Sequence, residues 1–352
     1  VIKWRRVCLK WLWVLATPGR YYPEILVLEL GVDRPSDMHY LLSFIRPTVG
    51  VVTNISSSHL EFFHDLDNIA KEKGELIEAL PADGLAVLNA DDTRVRAMAK
   101  RSNAPVQTFG LLEQAEVQGS DVIFSYKDGV PQGLSFKLND EGRVVPLRLP
   151  HIVAPHLLYA VLAAVAVGIY FKVNLVEAAS MLQEFRSPLG RMQLIAGIKR
   201  STIIDDTYNS SPVSALAALE TLEAIVAKRK VAMLGDMLEL GIDSEAGHRQ
   251  VANRAFEANA AVVIAVGDRM GRAVKDAARH YMGVQAFYFD DPELAGKFLR
   301  TTMKDGDLVL VKGSQGMRLE KAVEEVMSES DRADEFLCRQ TPEWRKKAYV
   351  KP

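Results

Sequence analysis

Short apolar runs alternate with stretches of helical periodicity from residue 25 to about residue 110. The segment Leu66–Leu80 shows helical spacing clearly, because its apolar residues recur every three to four positions. Parallel strands need a long crossover between them, so this alternation predicts a parallel α/β sheet covered by helices. The predicted strands are Ile25–Leu30, Val49–Thr53, Gly84–Leu88 and Val106–Phe109, and the predicted helices are Asp37–Ile45, Leu66–Leu80 and Asp91–Lys100.

The pattern changes after residue 113 and resumes after residue 190. Two Asp-Gly or Glu-Gly pairs, at 128–129 and 141–142, separate alternating segments and predict a β-hairpin or meander appended to the first sheet. Two apolar helices are expected within 156–184, and Pro188 with Gly190 marks a domain boundary. A second α/β series follows. Its predicted strands are Thr202–Ile204, Val231–Leu234, Val262–Val266, Ala286–Tyr288 and Leu308–Val311, and its predicted helices lie around 212–227, 245–259, 269–280, 291–301 and 317–328.

Composition narrows the class of protein. A chain of 352 residues is long enough for roughly two domains. The formal charge of −2 argues against a dedicated nucleic-acid binder. The sequence contains no run of 18 apolar residues, so it predicts no membrane-spanning helix. The two cysteines, Cys8 and Cys338, build neither a disulfide framework nor a zinc cluster, which favours a cytoplasmic location.

Residues 1–22 and the last 22 residues each allow a simple interpretation. The paired Arg5 and Arg6 before an apolar stretch suggest a secretory signal, but Lys10 interrupts that stretch. We therefore favour an amphipathic lead-in whose tryptophans pack on the domain. The charged C-terminal residues predict a solvated tail.

Glu29, His59 and Lys73 form a first group of candidate ligands. Glu29 ends one predicted strand and His59 follows the next, so both are expected at the edge of the sheet where open α/β sheets bind ligands. A carboxylate suits a hard cation such as Mg²⁺. Lys73 would oppose a cation as an ammonium, whereas a carbamate formed with CO₂ would offer an anionic oxygen. Each residue also has a structural or solvated interpretation.

Arg191 and the segment Ile203–Pro212 form a second group. Asp205 and Asp206 end a predicted strand, and contact with ribose or phosphate would explain them, with Arg191 as the partner of phosphate charge. A helix cap at Ser211 is the structural alternative.

Two glycine-rich turns follow later strands. They are Leu234–Gly241, which precedes His248, and Val311–Arg318, which contains Lys312. Backbone N–H groups at such turns can hold an anion, although turns of this kind are common. Neither a G-x-x-x-x-G-K-[ST] nor a G-x-G-x-x-G string occurs in the 352 residues.

Eight strings follow one another along the chain: VLELG at 27–31, RPTVGVVTNISSSHLEFF at 46–63, AKEKGEL at 70–76, VLNADD at 87–92, GRMQLI at 190–195, IIDDTYNSSP at 203–212, MLGDMLELG at 233–241 and LVKGSQGMRLE at 310–320. In this order they resemble the ATP-dependent Mur ligases. The interval from His59 to Lys73 also resembles that of the family.

The resemblance implies a fold and a set of site residues. We expect an α/β protein with a truncated parallel-sheet Mur ligase central domain at 25–186, after a lead-in at 1–24. A Rossmann-like α/β C-terminal domain at 187–330 and a charged tail at 331–352 would follow. Mg²⁺ would be bound by Glu29, His59 and a carbamylated Lys73, which would also act in catalysis. The nucleotide would be contacted by Arg191, Asp206, His156 and Asn54. The substrate would be contacted by Asn209, Ser211, His248 and Lys312.

The DDTYN and GDMLELG strings are similar to those of one branch of the family. The members of that branch join D-alanyl-D-alanine to UDP-N-acetylmuramoyl-tripeptide. The resemblance implies ATP as co-substrate, an acyl phosphate intermediate and a monomer. Leu157 and Ala160 replace the asparagines that the family associates with adenine contact. The family's N-terminal UDP-binding domain and P-loop are not found in these residues, so we expect little ATP turnover from them alone. The alternatives are a non-catalytic ligase-like binding protein or inactive fragment, and a related amino-acid or folylpolyglutamate ligase.

Overall fold

Two six-stranded sheets organise the protein. The computed structural model describes residues 23–56, 60–112 and 115–350, so the predicted lead-in segment and Cys8 lie outside the described residues. The strands are β1 (Val49–Val52), β2 (Leu85–Asn89), β3 (Val106–Gly110), β4 (Val117–Lys127), β5 (Val130–Asp140), β6 (Arg143–Pro150), β7 (Gln193–Ala196), β8 (Thr202–Asp206), β9 (Lys230–Gly235), β10 (Val262–Val266), β11 (Gln285–Phe289) and β12 (Leu308–Lys312).

Helices connect most of these strands, as the alternating pattern predicts. The α-helices are α1 (Asp37–Leu42), α2 (Leu60–Phe63), α3 (Leu66–Glu78), α4 (Thr93–Ala97), α5 (Leu158–Tyr170), α6 (Leu175–Leu182), α7 (Pro212–Ala224), α8 (Ser244–Glu257), α9 (Asp268–Ala277), α10 (Pro292–Thr302), α11 (Glu320–Val326), α12 (Ala333–Phe336) and α13 (Pro342–Arg345). Within the described ranges, no helix is both long and apolar enough to cross a membrane.

The first sheet has the order β1-β2-β3-β4-β5-β6. The pairs from β1 to β4 are parallel, and β4, β5 and β6 form an antiparallel meander. One face packs against α5 and α6, whose apolar composition buries Leu158, Leu162 and Ala166. The other face packs against α1 and α3 through Met38 and Ile77. The predicted parallel sheet with an appended meander is therefore confirmed.

The predicted strand Ile25–Leu30 is wrong. Residues 26–33 have no regular secondary structure, and the side chains of residues 25–28 are at least half exposed. A strand requires hydrogen bonds from a neighbour, and β1 is the last strand on this side of the sheet within the described residues. Only Leu30 and Val32 of this region pack against the apolar cluster under α1 and α3.

The second sheet has the order β11-β10-β9-β12-β8-β7, and all pairs except β7 with β8 are parallel. The chain runs outward from β9 to β11 and returns to β12 on the other side of β9. Loops that leave β8, β9 and β12 consequently meet at one carboxyl edge, where α/β sheets form their ligand crevice. A Cβ on Gly313 would lie 3.2 Å from Cα of Gly235, a tight contact, so the turn after β12 favours glycine where it approaches the end of β9.

The prediction of a solvated C-terminal tail is wrong for Ala333 and residues 337–339, which are buried, whereas most of residues 341–350 are exposed. Leu337 is 1% exposed, and it packs with Ala333 in the apolar cluster on one face of the second sheet. The high charge of this segment is compatible with packing because its buried arginine, Arg339, pairs with the buried carboxylate of Glu320.

The meander of the first sheet also contacts the second domain. The amide of Val226 donates a hydrogen bond of 2.9 Å to the hydroxyl of Tyr126. Phe124 and Leu157 each pack against apolar clusters in both domains. The two sheets therefore share an apolar contact at the boundary.

Candidate functional site

A turn after β1 carries the first group of candidate residues. The Asn89 side-chain amide donates to the carbonyl of Thr53 at 2.8 Å, and the amide of Ile55 donates to Asp92 Oδ2 at the same distance. Asp92 also caps α4 by accepting from two further backbone amides. Side chains at and just after the end of β2 therefore fix the turn that follows β1.

Lys73 reaches this turn from α3. Its Nζ lies 3.4 Å from the carbonyl oxygen of Asn54. Burial lowers the pKa of Lys73, and the charge of Asp92 partly opposes that shift. A lower pKa favours the neutral amine, which is the form that reacts with CO₂. The structure thus brings Lys73 close to the backbone of Asn54, another predicted site residue.

Of the other two predicted magnesium ligands, only Glu29 lies among the described residues. Glu29 lies exposed on an irregular segment rather than at the end of a strand, and His59 lies outside the described residues. Among the residues that the structure describes, no cluster of three or more His, Cys, Asp or Glu side chains could hold a metal ion. The carboxylate of Glu29 is a hard oxygen donor, and a carbamate on Lys73 would be another, donors of the kind that Mg²⁺ prefers.

Asp206 and Lys312 form a buried ion pair at the carboxyl edge of the second sheet. Lys312 Nζ lies 2.5 Å from Asp206 Oδ2 and donates to the carbonyl of Asn209 at 3.0 Å. The amide of Met192 donates to the other carboxylate oxygen at 3.2 Å. Because β8 and β12 are neighbours, the DDTYN and LVKGS strings meet here, and the pair fixes the loop between β8 and α7.

Arg191 lies on the exposed side of this loop. Its guanidinium is 4.3 Å from the ring centroid of Tyr208, a cation–π distance that orients the side chain. The amide of Tyr208 donates to the carbonyl of Gly190 at 2.9 Å. The side chain of Asn209 is exposed, and its Oδ1 accepts from the amide of Ser210 at 2.9 Å.

Ser211 and His248 are bound within the protein. Ser211 caps α7 in a reciprocal capping box with Ser214, which is the structural alternative considered from the sequence. His248 is 1% exposed; its Nε2 accepts from the amide of Met237 and its Nδ1 donates to the carbonyl of Ser244. Burial lowers the pKa of His248, in agreement with a neutral ring. Their predicted substrate contacts stay predictions.

His156 lies in the short 3₁₀ turn Pro155–Leu157 that precedes α5. Burial lowers its pKa; the charge of Asp206 opposes that shift and the charge of Lys312 adds to it. His156 therefore lies within electrostatic reach of the Asp206–Lys312 pair, although the two come from different domains. Leu157 beside it is partly buried between the apolar clusters, where an asparagine would require polar partners.

Asp205 is the first residue of the acidic pair at the end of β8. The sequence predicts this pair but does not determine the surroundings of Asp205. Its side chain is fully buried, one carboxylate oxygen accepts from the amide of Thr207, and the other has no hydrogen-bond partner. Burial raises the pKa of Asp205 to about 7. This strand-end carboxyl group is therefore about half protonated near pH 7.

Comparison with known families agrees with this arrangement. Residues 14–168 match the Mur ligase middle domain, and residues 190–315 match the Mur ligase glutamate ligase domain. The two matches cover both sheets and both groups of candidate residues. The chain therefore belongs to the Mur ligase family, whose members are ATP-dependent ligases.

Similar curated proteins are UDP-N-acetylmuramoyl-tripeptide–D-alanyl-D-alanine ligases. That of Bacillus subtilis is 28% identical over 89% of this chain and 66% of its own length, and that of Escherichia coli is 29% identical over 85% and 64%. A crystal structure of the MurF ligase of Thermotoga maritima in complex with ADP superimposes with a TM-score of 0.75 at 26% identity, covering 90% of this chain and 69% of that one. The chain thus spans slightly less than two thirds of the curated relatives it matches.

Proposed function

We propose that this chain forms part of an ADP-forming ligase that joins D-alanyl-D-alanine to UDP-N-acetylmuramoyl-tripeptide in peptidoglycan precursor synthesis, in the cytoplasm. The observation that carries the proposal is the meeting of the DDTYN and LVKGS strings in the Asp206–Lys312 pair, beside Arg191. The identities of 28% and 29% with ligases of this specificity support it.

In the proposed reaction, the γ-phosphate of ATP is transferred to a carboxylate of the tripeptide, which gives an acyl phosphate and ADP. The amine of D-alanyl-D-alanine then attacks the acyl carbon and phosphate leaves. Negative charge accumulates on the phosphoryl oxygens during both steps, and a positioned arginine stabilises such charge. Arg191, exposed and oriented by Tyr208, is suited to that role.

The residues of the first domain would prepare the nucleotide side. Glu29, His59 and a carbamylated Lys73 would hold Mg²⁺, which neutralises phosphate charge when bound. The backbone carbonyl of Asn54 lies beside Lys73. His156, also in the first domain, lies within electrostatic reach of the Asp206–Lys312 pair of the second domain. These residues would orient the nucleotide between the two domains and exclude water from the acyl phosphate.

The residues of the second domain would receive the dipeptide. Asn209 has an exposed side-chain amide, and Lys312 donates a hydrogen bond to the backbone carbonyl of Asn209. Ser211 and His248 would act by holding the loops after β8 and β9, since their polar atoms bond within the protein. Asp206, bound on both carboxylate oxygens, would keep the nucleotide-facing loop in place.

The replacement of two asparagines by Leu157 and Ala160 favours a second candidate, a non-catalytic protein that binds the precursor. The two candidate functions predict different precursor pools in a cell whose own D-alanyl-D-alanine-adding ligase is depleted. Expression of the complete gene product containing this chain should convert the accumulated UDP-linked tripeptide to the pentapeptide, as measured by mass spectrometry. The Lys73→Ala variant should not. A pool that remains tripeptide, with the protein present and folded, would favour the binding protein.

A further inference from the structure

Residues 337–350, here called the C-terminal strap, contact two of the three loops at the carboxyl edge of the second sheet. The family match of this domain ends at residue 315, so the strap lies beyond the matched range. The first contact is with the loop after β12. Arg318 follows that loop, and its Nη1 donates to the carbonyls of Trp344 and Lys347 at 2.8 and 2.6 Å. The amide of Val350 donates to the carbonyl of Gly316 at 2.8 Å.

The second contact is with the loop after β8. Arg339 Nη1 donates to the carbonyl of Thr207 at 3.0 Å, and its Nη2 donates to the carbonyl of Tyr208. The Sγ atom of Cys338 lies 3.7 Å from Oγ1 of Thr207. One guanidinium therefore binds two consecutive carbonyls, a fork geometry that lysine cannot reproduce.

A buried carboxylate links the two contacts. Glu320 is 0% exposed, and its two oxygens accept from Arg318 Nε at 2.5 Å and from Arg339 Nη1 at 3.1 Å. Removing one partner of a buried ion pair leaves an uncompensated charge, so this arrangement strongly favours a single geometry. The strap is thereby fixed relative to both loops.

The peptide that Arg339 binds also determines where candidate nucleotide residues lie. Asp206 directly precedes Thr207, and the ring of Tyr208 supports the guanidinium of Arg191. We propose that Arg339 is a positioning residue of the candidate nucleotide site, which fixes the Thr207–Tyr208 peptide and through it Asp206 and Arg191. This inference rests on the proposed nucleotide contacts of Arg191 and Asp206.

Hydrogen exchange of the 352-residue protein tests the local part of the proposal. In Arg339→Ala, amides within 206–210 should exchange at least about threefold faster, because two carbonyl anchors are lost. Arg339→Lys keeps a positive charge beside Glu320 and should fold even if the alanine variant does not, yet it should still show faster exchange. Arg332→Ala is the matched control, since Arg332 is a more exposed strap-adjacent arginine paired with Glu329 and Glu335. Unchanged exchange at 206–210 in Arg339→Lys, or an equal increase in Arg332→Ala, would overturn the proposal.

Kinetics of the complete gene product test the action through Arg191. Arg339→Lys should raise KM for ATP about two- to tenfold and change kcat less, as expected for the loss of one or two hydrogen bonds at a positioning residue. In the Arg191→Ala background the same change should have less than about a twofold effect, because the group being positioned is gone. A full-sized effect in that background would contradict the proposal. Absence of ligase activity in the wild-type protein would instead remove the proposed function, and the exchange measurement would still decide on Arg339.

Discussion

Asp205 and Asp206 are adjacent in the sequence but differ in their surroundings. Successive residues of a strand point to opposite faces of the sheet, so only Asp206 meets the ammonium of Lys312. Asp205 is fully buried with one oxygen unpaired, and burial raises its pKa to about 7. The sequence predicts an acidic pair at this strand end, whereas the division of roles depends on neighbours that come from distant segments.

The raised pKa of Asp205 predicts a pH-dependent stability. The folded protein binds a proton at this carboxyl up to about pH 7, whereas the unfolded chain releases it near pH 4. The contribution of Asp205 to the free energy of unfolding should therefore fall as the pH rises from about 4 to about 7. In urea titrations, Asp205→Asn should gain up to about 4 kcal/mol relative to wild type between pH 4 and pH 8. The exposed control Asp276→Asn should show no such gain; an Asp205→Asn difference that is constant with pH would refute the assignment.

Lys73 provides the second prediction at this scale. Its lowered pKa and partial burial favour reaction of the neutral amine with CO₂. In ¹³C-bicarbonate, the wild-type chain should show a carbamate carbonyl resonance by NMR that Lys73→Ala lacks. Lys71→Ala, which removes an exposed lysine from the same helix, should retain it. A resonance that survives in Lys73→Ala would place the carbamate elsewhere.

Elements with strong periodicity are predicted well from the sequence, and elements defined by their partners are not. The strand Val262–Val266 and the helix that begins at Leu66 are found where the pattern places them. Ile25–Leu30 reads as a strand but has no pairing partner among the described residues. Residues 331–350 read as solvent-exposed because charge dominates their composition, yet a few apolar residues and the Glu320 carboxylate hold them in place.

The packing of the C-terminal segment can be measured through Leu337. Because this side chain is 1% exposed, Leu337→Ala should lower the free energy of unfolding by about 2–4 kcal/mol. Lys346→Ala, at an exposed position of the same segment, should change it by less than about 0.5 kcal/mol. Equal and small effects of both substitutions in chemical denaturation would mean that the segment is solvated after all.

At the scale of the molecule, the candidate site requires both domains. His156 of the first domain lies within electrostatic reach of the Asp206–Lys312 pair of the second, and Phe124 of the meander packs against apolar clusters of both. The strings that resemble the Mur ligases include Asp206 and Lys312, which end two neighbouring strands. The juxtaposition of this pair with His156 depends on contacts across the boundary, for which local periodicity carries no information.

The shared contact predicts coupled unfolding of the two domains. Phe124→Ala should lower stability by about 2 kcal/mol and should separate a single calorimetric transition into two, because the apolar link is removed. The adjacent Ile123, which is 62% exposed, provides the control, since Ile123→Ala should leave one transition. A single transition in Phe124→Ala would mean that other contacts couple the domains.

The transfer of a carboxylate oxygen to phosphate tests the ligase proposal most directly. The complete gene product would be incubated with ATP, D-alanyl-D-alanine and UDP-N-acetylmuramoyl-tripeptide labelled with ¹⁸O in its carboxylates. If an acyl phosphate forms, the attacking oxygen bridges carbon and phosphorus and leaves with the phosphate when the amine attacks. The account predicts one ¹⁸O atom in the released phosphate for each pentapeptide formed. Pentapeptide formation with unlabelled phosphate would contradict the mechanism, and phosphate release without pentapeptide would contradict the proposed function.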